Sequence, residues 1–441
     1  MQPCDTLLFA EIIVTQNESR SIIYNGGIAV SEGKILCIDA ADVVRSQYTS
    51  KNTIELGSSL LMPGLINSHT HAAMTLLRGA ADDLPLMDWL NNHIFPVEQN
   101  LTAEQVELGA LLACAEMTRY GTTSFTDMYL IEDATYKAVD QSGLRVLGGE
   151  ALFMFPSPAY KDFDAGIALV RELETKWQSN PRIRQAVMPH AVYTTTPEIL
   201  TTCRDVAEEL NLPIHIHLAE TPTETAACVE SFGKRPVEYA HSLGLLGKRT
   251  TVAHAVDLTD DEISLLAETG TVVAHNPESN MKLASGMAPI EKMLAQGVTV
   301  TLGTDGAASN NALNMFTEMA SCAFLHKVQH IDPTVASAQA VLDMATRNGA
   351  CSMGQSDIGA LTVGNQADII ALDLTQPNML PMHNPVSQLV YATCGAEVHM
   401  TMVAGEMLYH DGRYTQIDYP ALIESAKDVA KWVQKKIQKR S

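Results

Sequence analysis

Residues 60–71 carry the sequence LLMPGLINSHTH, an apolar stretch that ends in two histidines two positions apart. Its first nine residues, 60–68, predict a β-strand buried on both faces, as strands of parallel sheets are. Seven similar segments follow, several of them separated by predicted helices: residues 122–127, 144–151, 183–190, 213–219, 250–256, 271–276 and 298–305. Eight strand–helix units in succession predict an α/β fold, a parallel (β/α)8 barrel of the TIM type.

Start signals support three of the intervening helices. Thr102-Ala-Glu-Gln105 and Thr259-Asp-Asp-Glu262 have the spacing of a capping box, in which the threonine and the later side chain cap each other's backbone N–H groups. Thr196-Pro197 places a proline at the first helical position, where its missing N–H costs nothing. Helices are therefore expected to begin at these three points.

The two ends of the chain are richer in strand and turn signals than the middle. Residues 5–56 predict short strands, and residues 367–372 and 400–414 predict a further strand and a hairpin. We therefore expect a small β-sandwich domain built from residues 1–61 and residues 365–441, the latter segment ending in a C-terminal helix. The barrel would occupy residues 62–364, between these two segments. That helix, over residues 420–440, has Lys435, Lys436, Lys439 and Arg440 near its end, where cations suit the helix dipole.

Composition narrows the function classes. The 441 residues are 46% hydrophobic and carry a formal net charge of −22. This acidity argues against nucleic-acid binding, because a phosphate backbone would be repelled. The eight scattered cysteines form no CxxC pair, and no apolar run reaches the length of a membrane span. We expect a soluble cytoplasmic protein that binds a small molecule, with neither nucleic acid nor a membrane as partner.

Polar side chains cluster where the predicted barrel strands end, which is where barrel enzymes place their active sites. They are His69, His71, Asp127, Glu150, His190, His217, Glu220, His254, His275 and Asp305. His69 and His71 are two positions apart, so in an extended segment both imidazoles point to one side and can reach one metal ion. A third imidazole and a carboxylate, with His217 and Asp305 as candidates, would complete a mixed nitrogen and oxygen site with room for water.

Three further histidines, at 215, 326 and 330, are not predicted to bind metal. His215 shares the face of His217 but should lie deeper in the barrel, where a structural core role is expected. His326 and His330 are four positions apart on a predicted helix, a spacing that can bind metal. Since no carboxylate or third ligand accompanies them, we interpret them as a solvated helix face.

Five sequence features together resemble the amidohydrolase superfamily: PGLINSHTH at 63–71, HIHLAE at 215–220, His254, TDG at 304–306 and GNQADI at 364–369. HAAMTLLRG at 71–79 and DDLPLMDWL at 82–90 are similar to the 5′-methylthioadenosine/S-adenosylhomocysteine deaminases within it. The resemblance covers essentially the whole chain in order. It implies one divalent metal, zinc or iron, held by His69, His71, His217 and Asp305. Residues 186–190, AVMPH, offer no bridging lysine, which favours a mononuclear site.

The resemblance also implies a reaction, the hydrolysis of an adenine nucleoside to the inosine analogue and ammonia. Asp305 would accept a proton from the metal-activated water, which attacks C6, and Glu220 would deliver a proton to N1. His254 would hydrogen-bond the incoming oxygen. Four side chains would contact the substrate besides Glu220, namely Trp89, Glu98, His190 and Ser309, with Glu98 accepting the ribose hydroxyls.

Several points stay open at the level of sequence. The substrate could be another heterocycle such as guanine or a triazine, and a metal-free scaffold without activity is a further class. An arginine for the carboxylate of S-adenosylhomocysteine could be Arg78 or Arg145, although either could be structural. Relatives are often homo-oligomers, so we expect one here.

Overall fold

The computed structural model describes residues 1–438. Its central part is a barrel of eight parallel strands. They are Leu65–Thr70, Thr122–Tyr129, Arg145–Leu152, a fourth strand in two pieces (Ile183–Gln185 and Met188–Pro189), Ile214–Leu218, Thr250–His254, Val272–His275 and Val300–Leu302. Parallel bridges join the fourth and fifth strands, from Val187 to Ile214 and from Ala191 to His217. The backbone N–H of Asp305 donates to the carbonyl of His69 at 2.9 Å and thereby closes the eighth strand on the first.

Helices cover the outside of this barrel. They are Ala103–Arg119, Glu132–Ser142, Phe163–Trp177, Pro197–Glu209, Pro222–Phe232, Pro236–Ser242, Asp260–Thr269, Pro277–Lys282, Ile290–Ala295, Met315–His330, Ala338–Met344 and Arg347–Ser352. The predicted starts at Thr102, Thr196 and Thr259 are confirmed, because each threonine hydroxyl accepts a hydrogen bond from the backbone N–H three positions later. The apolar faces of strands and helices form a large core cluster around the barrel and a smaller one where the helices Ala103–Arg119 and Glu132–Ser142 pack on the neighbouring strands.

Strands from both chain ends form a separate nine-stranded sheet, which confirms the predicted fold class. Its strands are Thr6–Val14, Ile22–Ser31, Lys34–Ala40, Asn52–Glu55, Ser59–Pro63, Ile369–Asp373, Val398–Val403, Glu406–His410 and Arg413–Tyr414. Strand Ser59–Pro63 pairs with strand Ile369–Asp373 in antiparallel fashion. The strand that precedes the barrel in the sequence therefore lies beside the strand that follows the barrel. The helix Ala41–Gln47 and the short strands Gln2–Pro3 and Tyr48–Thr49 complete the N-terminal region.

The predicted first barrel strand, 60–68, is divided in the structure. Residues Ser59–Pro63 belong to the terminal sheet, and the barrel strand begins only at Leu65. Gly64 lies between them, where a Cβ would come within 2.1 Å of the Thr123 side chain, so the chain can pass from sheet to barrel only at a glycine. The domain limits at 61/62 and 364/365 stay predictions.

The remaining elements lie at the barrel mouth and at the C-terminus. After His71 the chain forms the 3-10 helix Ala72–Leu77, the short helix Leu86–Asp88, the π-helix Trp89–Ile94 and the helix Phe95–Glu98. Near the C-terminus are the helices Pro385–Tyr391 and Tyr419–Gln438, and two 3-10 turns lie at Val192–Thr194 and Pro377–Met379. Two of the predicted helix-end cations, Lys439 and Arg440, lie outside the described residues. Within residues 1–438, no helix combines the length and the apolar character needed to cross a membrane.

Candidate active site

Four side chains from three barrel strands converge at the mouth of the barrel. The Oδ1 atom of Asp305 lies 3.5 Å from His69 Nε2 and 3.2 Å from His71 Nε2. His217 Nε2 lies 3.3 Å from His71 Nε2. Two nitrogen ligands of a tetrahedral zinc ion are about 3.3 Å apart, given zinc–nitrogen bonds of about 2.0–2.1 Å. These three separations suit ligands of one shared cation, and the candidate ligand atoms of His69, His71 and Asp305 all lie within 4.8 Å of one another.

The second nitrogen of each imidazole is held by the protein. His71 Nδ1 donates to the carbonyl of Met128, and His217 Nδ1 donates to the carbonyl of His190 at 2.8 Å. Both Nε2 atoms are therefore free to bind a cation. In metal-bound histidines, a hydrogen-bond partner on the other ring nitrogen fixes the tautomer and the orientation of the ring in the same way. His69 Nε2 is buried and has no hydrogen-bond partner among residues 1–438. A cation at this point would satisfy that orphaned nitrogen, so the residues fit a metal ion.

His215 is a component of the site that the sequence did not identify. Its Nε2 lies 2.8 Å from His69 Nδ1, and both rings are almost fully buried. The expected core position is correct, but the side chain also orients a candidate metal ligand. The signal was available in the HIHL pattern, because residues 215 and 217 share one face of the strand.

Asp305 is held by three further hydrogen bonds. Ser279 and Ser309 donate to its Oδ2 atom at 2.7 and 2.9 Å, and the backbone N–H of Gly306 donates to Oδ1 at 2.8 Å. Burial acts to raise the pKa of Asp305, but the nearby imidazoles of His69 and His71, whose Nε2 atoms face its Oδ1 atom, hold the pKa well below its usual value. The group is thus a carboxylate with fixed orientation. Ser309 touches Asp305 and is not among the side chains that line the cavity.

Glu220 and His254 stand beside these four residues. The Oε2 atom of Glu220 lies 3.9 Å from His254 Nε2, and Ser285 donates to Oε1 at 3.4 Å. Glu220 is almost completely buried, and burial raises the pKa of its carboxyl group. On the other side of the ring, His254 Nδ1 lies 2.9 Å from Asn280 Oδ1. A buried carboxyl group with a raised pKa next to a water-activating centre can take up and release protons.

A cavity opens directly over this cluster. Its lining includes four of the five predicted substrate-contacting residues, Trp89, Glu98, His190 and Glu220, together with His71, His217, His254 and Asp305. Burial raises the pKa of Glu98 to about 7 and lowers the pKa of His190 to about 3, so His190 is neutral at physiological pH. The cavity thus combines apolar walls with a few polar groups at fixed places, as small-molecule sites do.

Three other strand-end residues do not line the cavity. Asp127 accepts a hydrogen bond from the backbone N–H of Ala72 at 2.6 Å, and Glu150 accepts from that of Glu132 at 2.9 Å. Both carboxylates therefore support the backbone behind the site. The third residue, His275, lies beside the helix Met315–His330.

The interpretation of His326 as belonging to a solvated helix face is wrong. The side chain of His326 is buried, and its Nε2 lies 3.1 Å from Nε2 of His275 at the end of the seventh strand. The helix Met315–His330 packs this side against the barrel, whereas Val328 on the opposite side is exposed. His330, one turn further along the helix, is exposed, so the interpretation is correct for that residue.

The two candidate arginines are engaged elsewhere. Arg145 binds Asp368 of the C-terminal sheet, with Nε 2.7 Å from Oδ2, and both side chains are buried. Arg78 forms an ion pair with Glu116 and donates to the carbonyl of Asn311. Neither arginine lines the cavity, so both have structural roles.

A (β/α)8 barrel that gathers three imidazoles, an aspartate and a buried glutamate at its C-terminal mouth is the architecture of a metal-dependent hydrolase. The model of the amidohydrolase family matches residues 60–408, and the chain belongs to this family. The resemblance noted in the sequence is therefore confirmed.

Individual relatives are similar over almost their whole length. A 5-methylthioadenosine/S-adenosylhomocysteine deaminase of Nitratidesulfovibrio vulgaris is 62% identical over 99% of both chains. A 5′-deoxyadenosine deaminase of Methanosarcina mazei is 42% identical over 97% of this chain and 98% of its own. A solved structure of an adenosine deaminase from Xanthomonas campestris with bound zinc superposes with a TM-score of 0.96 at 37% identity, covering 98% of this chain and 99% of that one.

Proposed function

We propose that this chain is a metal-dependent deaminase that hydrolyses the 6-amino group of adenine nucleosides, among them 5′-methylthioadenosine, S-adenosylhomocysteine and adenosine. The products are the inosine analogue and ammonia. The observation that carries the proposal is the convergence of His69, His71, His217 and Asp305 beside the buried Glu220, in a cavity that also holds Glu98. Relatives of up to 62% identity bear deaminase names, which supports the same activity.

Four of these residues would hold the metal, namely His69, His71, His217 and Asp305. We infer zinc, with iron as the alternative, because the donor set is nitrogen-rich and the similar adenosine deaminase structure contains zinc. When bound, the cation would supply Lewis-acid activation of a water molecule near neutral pH. The full donor set also argues against a metal-free scaffold.

The remaining steps belong to the chain's own groups. The carboxylate of Asp305, fixed by Ser279 and Ser309, is placed to accept a proton from the attacking water. As oxygen adds to C6, negative charge builds toward N1, and the buried carboxyl group of Glu220 is suited to protonate that atom. His254 can hydrogen-bond the oxygen while the proton held by Asp305 passes to the amino group, the C–N bond breaks and ammonia leaves. The proton of the C6 hydroxyl then passes to Glu220, so both carboxyl groups return to their starting states.

At the other end of the substrate, Glu98 would accept hydrogen bonds from both ribose hydroxyls. Its carboxyl group lines the same cavity as Trp89 and His190. A buried acceptor that pairs with vicinal hydroxyls discriminates strongly against ligands without them, because it would otherwise be left unpaired. This arrangement favours nucleosides over free bases such as guanine. A direct contact between Ser309 and the substrate stays a prediction.

The test is ammonia release from 5′-methylthioadenosine, S-adenosylhomocysteine, adenosine and guanine, before and after treatment with a chelator. We expect activity on the adenine nucleosides, its loss after chelation and its return with added zinc. Added iron and metal analysis of the purified protein would separate the two metals. Ammonia from guanine alone, or undiminished activity in a metal-free preparation, would contradict the proposal.

Cytoplasmic location and homo-oligomeric assembly also remain proposals. The cytoplasmic location is supported by the reduced state expected for the eight free cysteines. The homo-oligomeric assembly is supported by the resemblance to a family whose members often form homo-oligomers. Sedimentation of the purified chain would measure the oligomeric state, and a monomer would contradict the second proposal.

A further inference from the structure

Asp305, the proposed carboxylate ligand of the metal, has a strained backbone. Its φ is +62°, in the left-handed region that residues other than glycine seldom adopt. A conformation of this kind persists only where the surrounding structure holds it, and such residues are concentrated at functional sites. The contacts that hold the backbone of Asp305 therefore indicate which residues outside the cavity its geometry depends on.

The peptide bond before Asp305 is held at both of its polar ends. Its N–H group donates to the carbonyl of His69 at 2.9 Å. Its carbonyl, that of Thr304, accepts from the side-chain amide Nδ2 of Asn310 at 2.7 Å. The same Nδ2 donates to Oε1 of Glu318, a fully buried residue in the first turn of the helix that follows. Asn310 thus joins the strained backbone to Glu318.

Both partners of this amide are acceptors, one a carbonyl oxygen and the other a carboxyl oxygen. Only a group with two donors, such as the NH2 of an asparagine, can join them. Burial, and then the neighbouring Glu278, raise the pKa of Glu318 well above its usual value. Glutamine, which is uncharged and has the same shape, is therefore a close substitute for Glu318. Aspartate in place of Asn310 would have the same shape but would supply no donor.

A second connection leads from Glu318 to the side chain of Asp305. Oε2 of Glu318 accepts from the backbone N–H of Glu278 at 3.3 Å. The Glu278 carboxylate accepts from two hydroxyl groups of the helix that carries Glu318, at 3.1 and 2.8 Å. The next residue, Ser279, donates to Asp305 Oδ2 at 2.7 Å. Glu318 therefore lies behind the backbone contacts of Asp305 and behind one of its side-chain contacts.

We propose that Glu318 is a positioning residue of the metal centre, which sets the orientation of the Asp305 carboxylate through Asn310 and through Glu278. This role rests on the proposed function, in which Asp305 binds the metal and accepts a proton from water. Without these contacts Asp305 would relax from its strained conformation and turn its carboxylate away from the imidazoles. Zinc affinity and kcat should then both fall, whereas KM should change little, because Glu318, Asn310 and Glu278 do not line the cavity.

The experiment compares Glu318→Leu, Glu318→Gln and Asn310→Asp with the wild type. Competition with a chromogenic chelator measures the zinc dissociation constant, and ammonia release at saturating zinc gives kcat and KM for 5′-methylthioadenosine. We expect Glu318→Leu and Asn310→Asp to weaken zinc binding and to lower kcat by about 10–100-fold, the usual effect of losing an outer partner of a metal ligand. Glu318→Gln should recover most of both losses.

The chain offers a matched control in Glu397, which is also buried. Its carboxylate likewise accepts from an asparagine amide, Nδ2 of Asn378, and from a backbone N–H, that of Cys394 at 3.1 Å. Glu397 directly precedes the strand Val398–Val403 of the terminal sheet. Glu397→Leu should lower the melting temperature, as Glu318→Leu does, but should leave zinc affinity and kcat unchanged. Thermal unfolding shows whether each variant is folded.

A folded Glu318→Leu variant with wild-type zinc affinity and kcat would overturn the inference, and so would equal losses in Glu397→Leu. If Glu318→Leu does not fold, Asn310→Asp decides, because Asn310 is only partly buried, and unchanged zinc affinity in that variant would overturn the inference as well. Absence of ammonia release by the zinc-loaded wild type would instead contradict the proposed function. Zinc binding by the variants would still test the role of Glu318 in that case.

Discussion

Each imidazole at the metal centre has one nitrogen committed to the protein and the other turned to the centre. His71 and His217 achieve this through backbone carbonyls, whereas His69 uses the imidazole of His215. A side chain whose orientation is already fixed by such a hydrogen bond loses little conformational freedom when a ligand binds. The entropic cost of ordering these imidazoles on binding is therefore small. Glu220 is less constrained than these imidazoles, because its side chain has only the long contact to Ser285 and the approach of His254. A group that carries a proton between two atoms needs such freedom.

Replacement of Glu220 by glutamine should remove turnover without removing metal. The amide has the same shape and can keep the Ser285 contact, but it cannot take up and release a proton. We expect kcat to fall by about 10²–10⁴-fold, the usual contribution of a positioned acid–base group. Metal content, measured by elemental analysis, should stay at the wild-type value. Glu230→Gln, on the exposed face of the helix Pro222–Phe232, is the matched control, and near-normal kcat in the Glu220 variant would exclude the assigned role.

The ionisation of Glu98 should appear in the pH dependence of activity. Burial raises its pKa to about 7, and the nearby Tyr129 hydroxyl acts in the opposite direction. Below that pH the carboxyl group is protonated and offers a poorer acceptor to two ribose hydroxyls. For 5′-methylthioadenosine, kcat/KM should therefore rise with pH through about 7 and level off above it.

The variant Glu98→Gln separates this effect from others. It should have a kcat/KM lower than wild type at pH 8, because one acceptor oxygen is lost. It should also lose the component of the pH profile that belongs to Glu98. If the variant keeps the same rise near pH 7, the titrating group is another one.

Among the structural elements, those governed by local sequence rules were predictable. The helix starts at Thr102 and Thr259 depend only on side chains three positions apart, and the i,i+2 spacing placed His69 and His71 on one side of a strand. The contribution of His215 and the burial of His326 depend on which side of an element meets its neighbour, and that is settled by packing between segments far apart in the sequence. The short helices of 72–98 also follow no simple period, because this segment packs over the barrel mouth.

One element-scale prediction concerns the helix Ala103–Arg119. Thr102 caps it by accepting from the backbone N–H of Gln105 at 3.3 Å, and the Gln105 side chain accepts from that of Thr102 at 3.0 Å. Loss of the cap in Thr102→Ala should lower the free energy of unfolding by about 1 kcal/mol. Thr102→Ser retains a hydroxyl and should lower it far less. Denaturant unfolding of the two variants measures the difference, and equal stability would show that the cap contributes nothing.

At the scale of the whole molecule, the barrel and the terminal sheet are joined by buried polar contacts as well as by chain connections. Arg145 begins the third barrel strand and binds Asp368, which precedes the sheet strand Ile369–Asp373. Asp368 also accepts from the backbone N–H of Ala404 at 2.7 Å, and Arg145 donates to Gln366 at 3.0 Å. The closing GNQADI motif, seen in the sequence as a family feature, therefore has a physical role, because it supplies the carboxylate that fixes the sheet to the barrel.

This ion pair gives the last prediction. Arg145→Met leaves Asp368 buried beside no cation, and the removal of one partner of a buried pair typically costs about 3–5 kcal/mol. The matched control, Arg171→Met, breaks an exposed pair with Glu209 and should cost less than about 1 kcal/mol. The double variant Arg145→Met, Asp368→Leu should recover some of the loss, because no unpaired charge then remains in the interior. Thermal and denaturant unfolding would measure all three, and a single variant as stable as wild type would show that the pair does not hold the barrel and the sheet together.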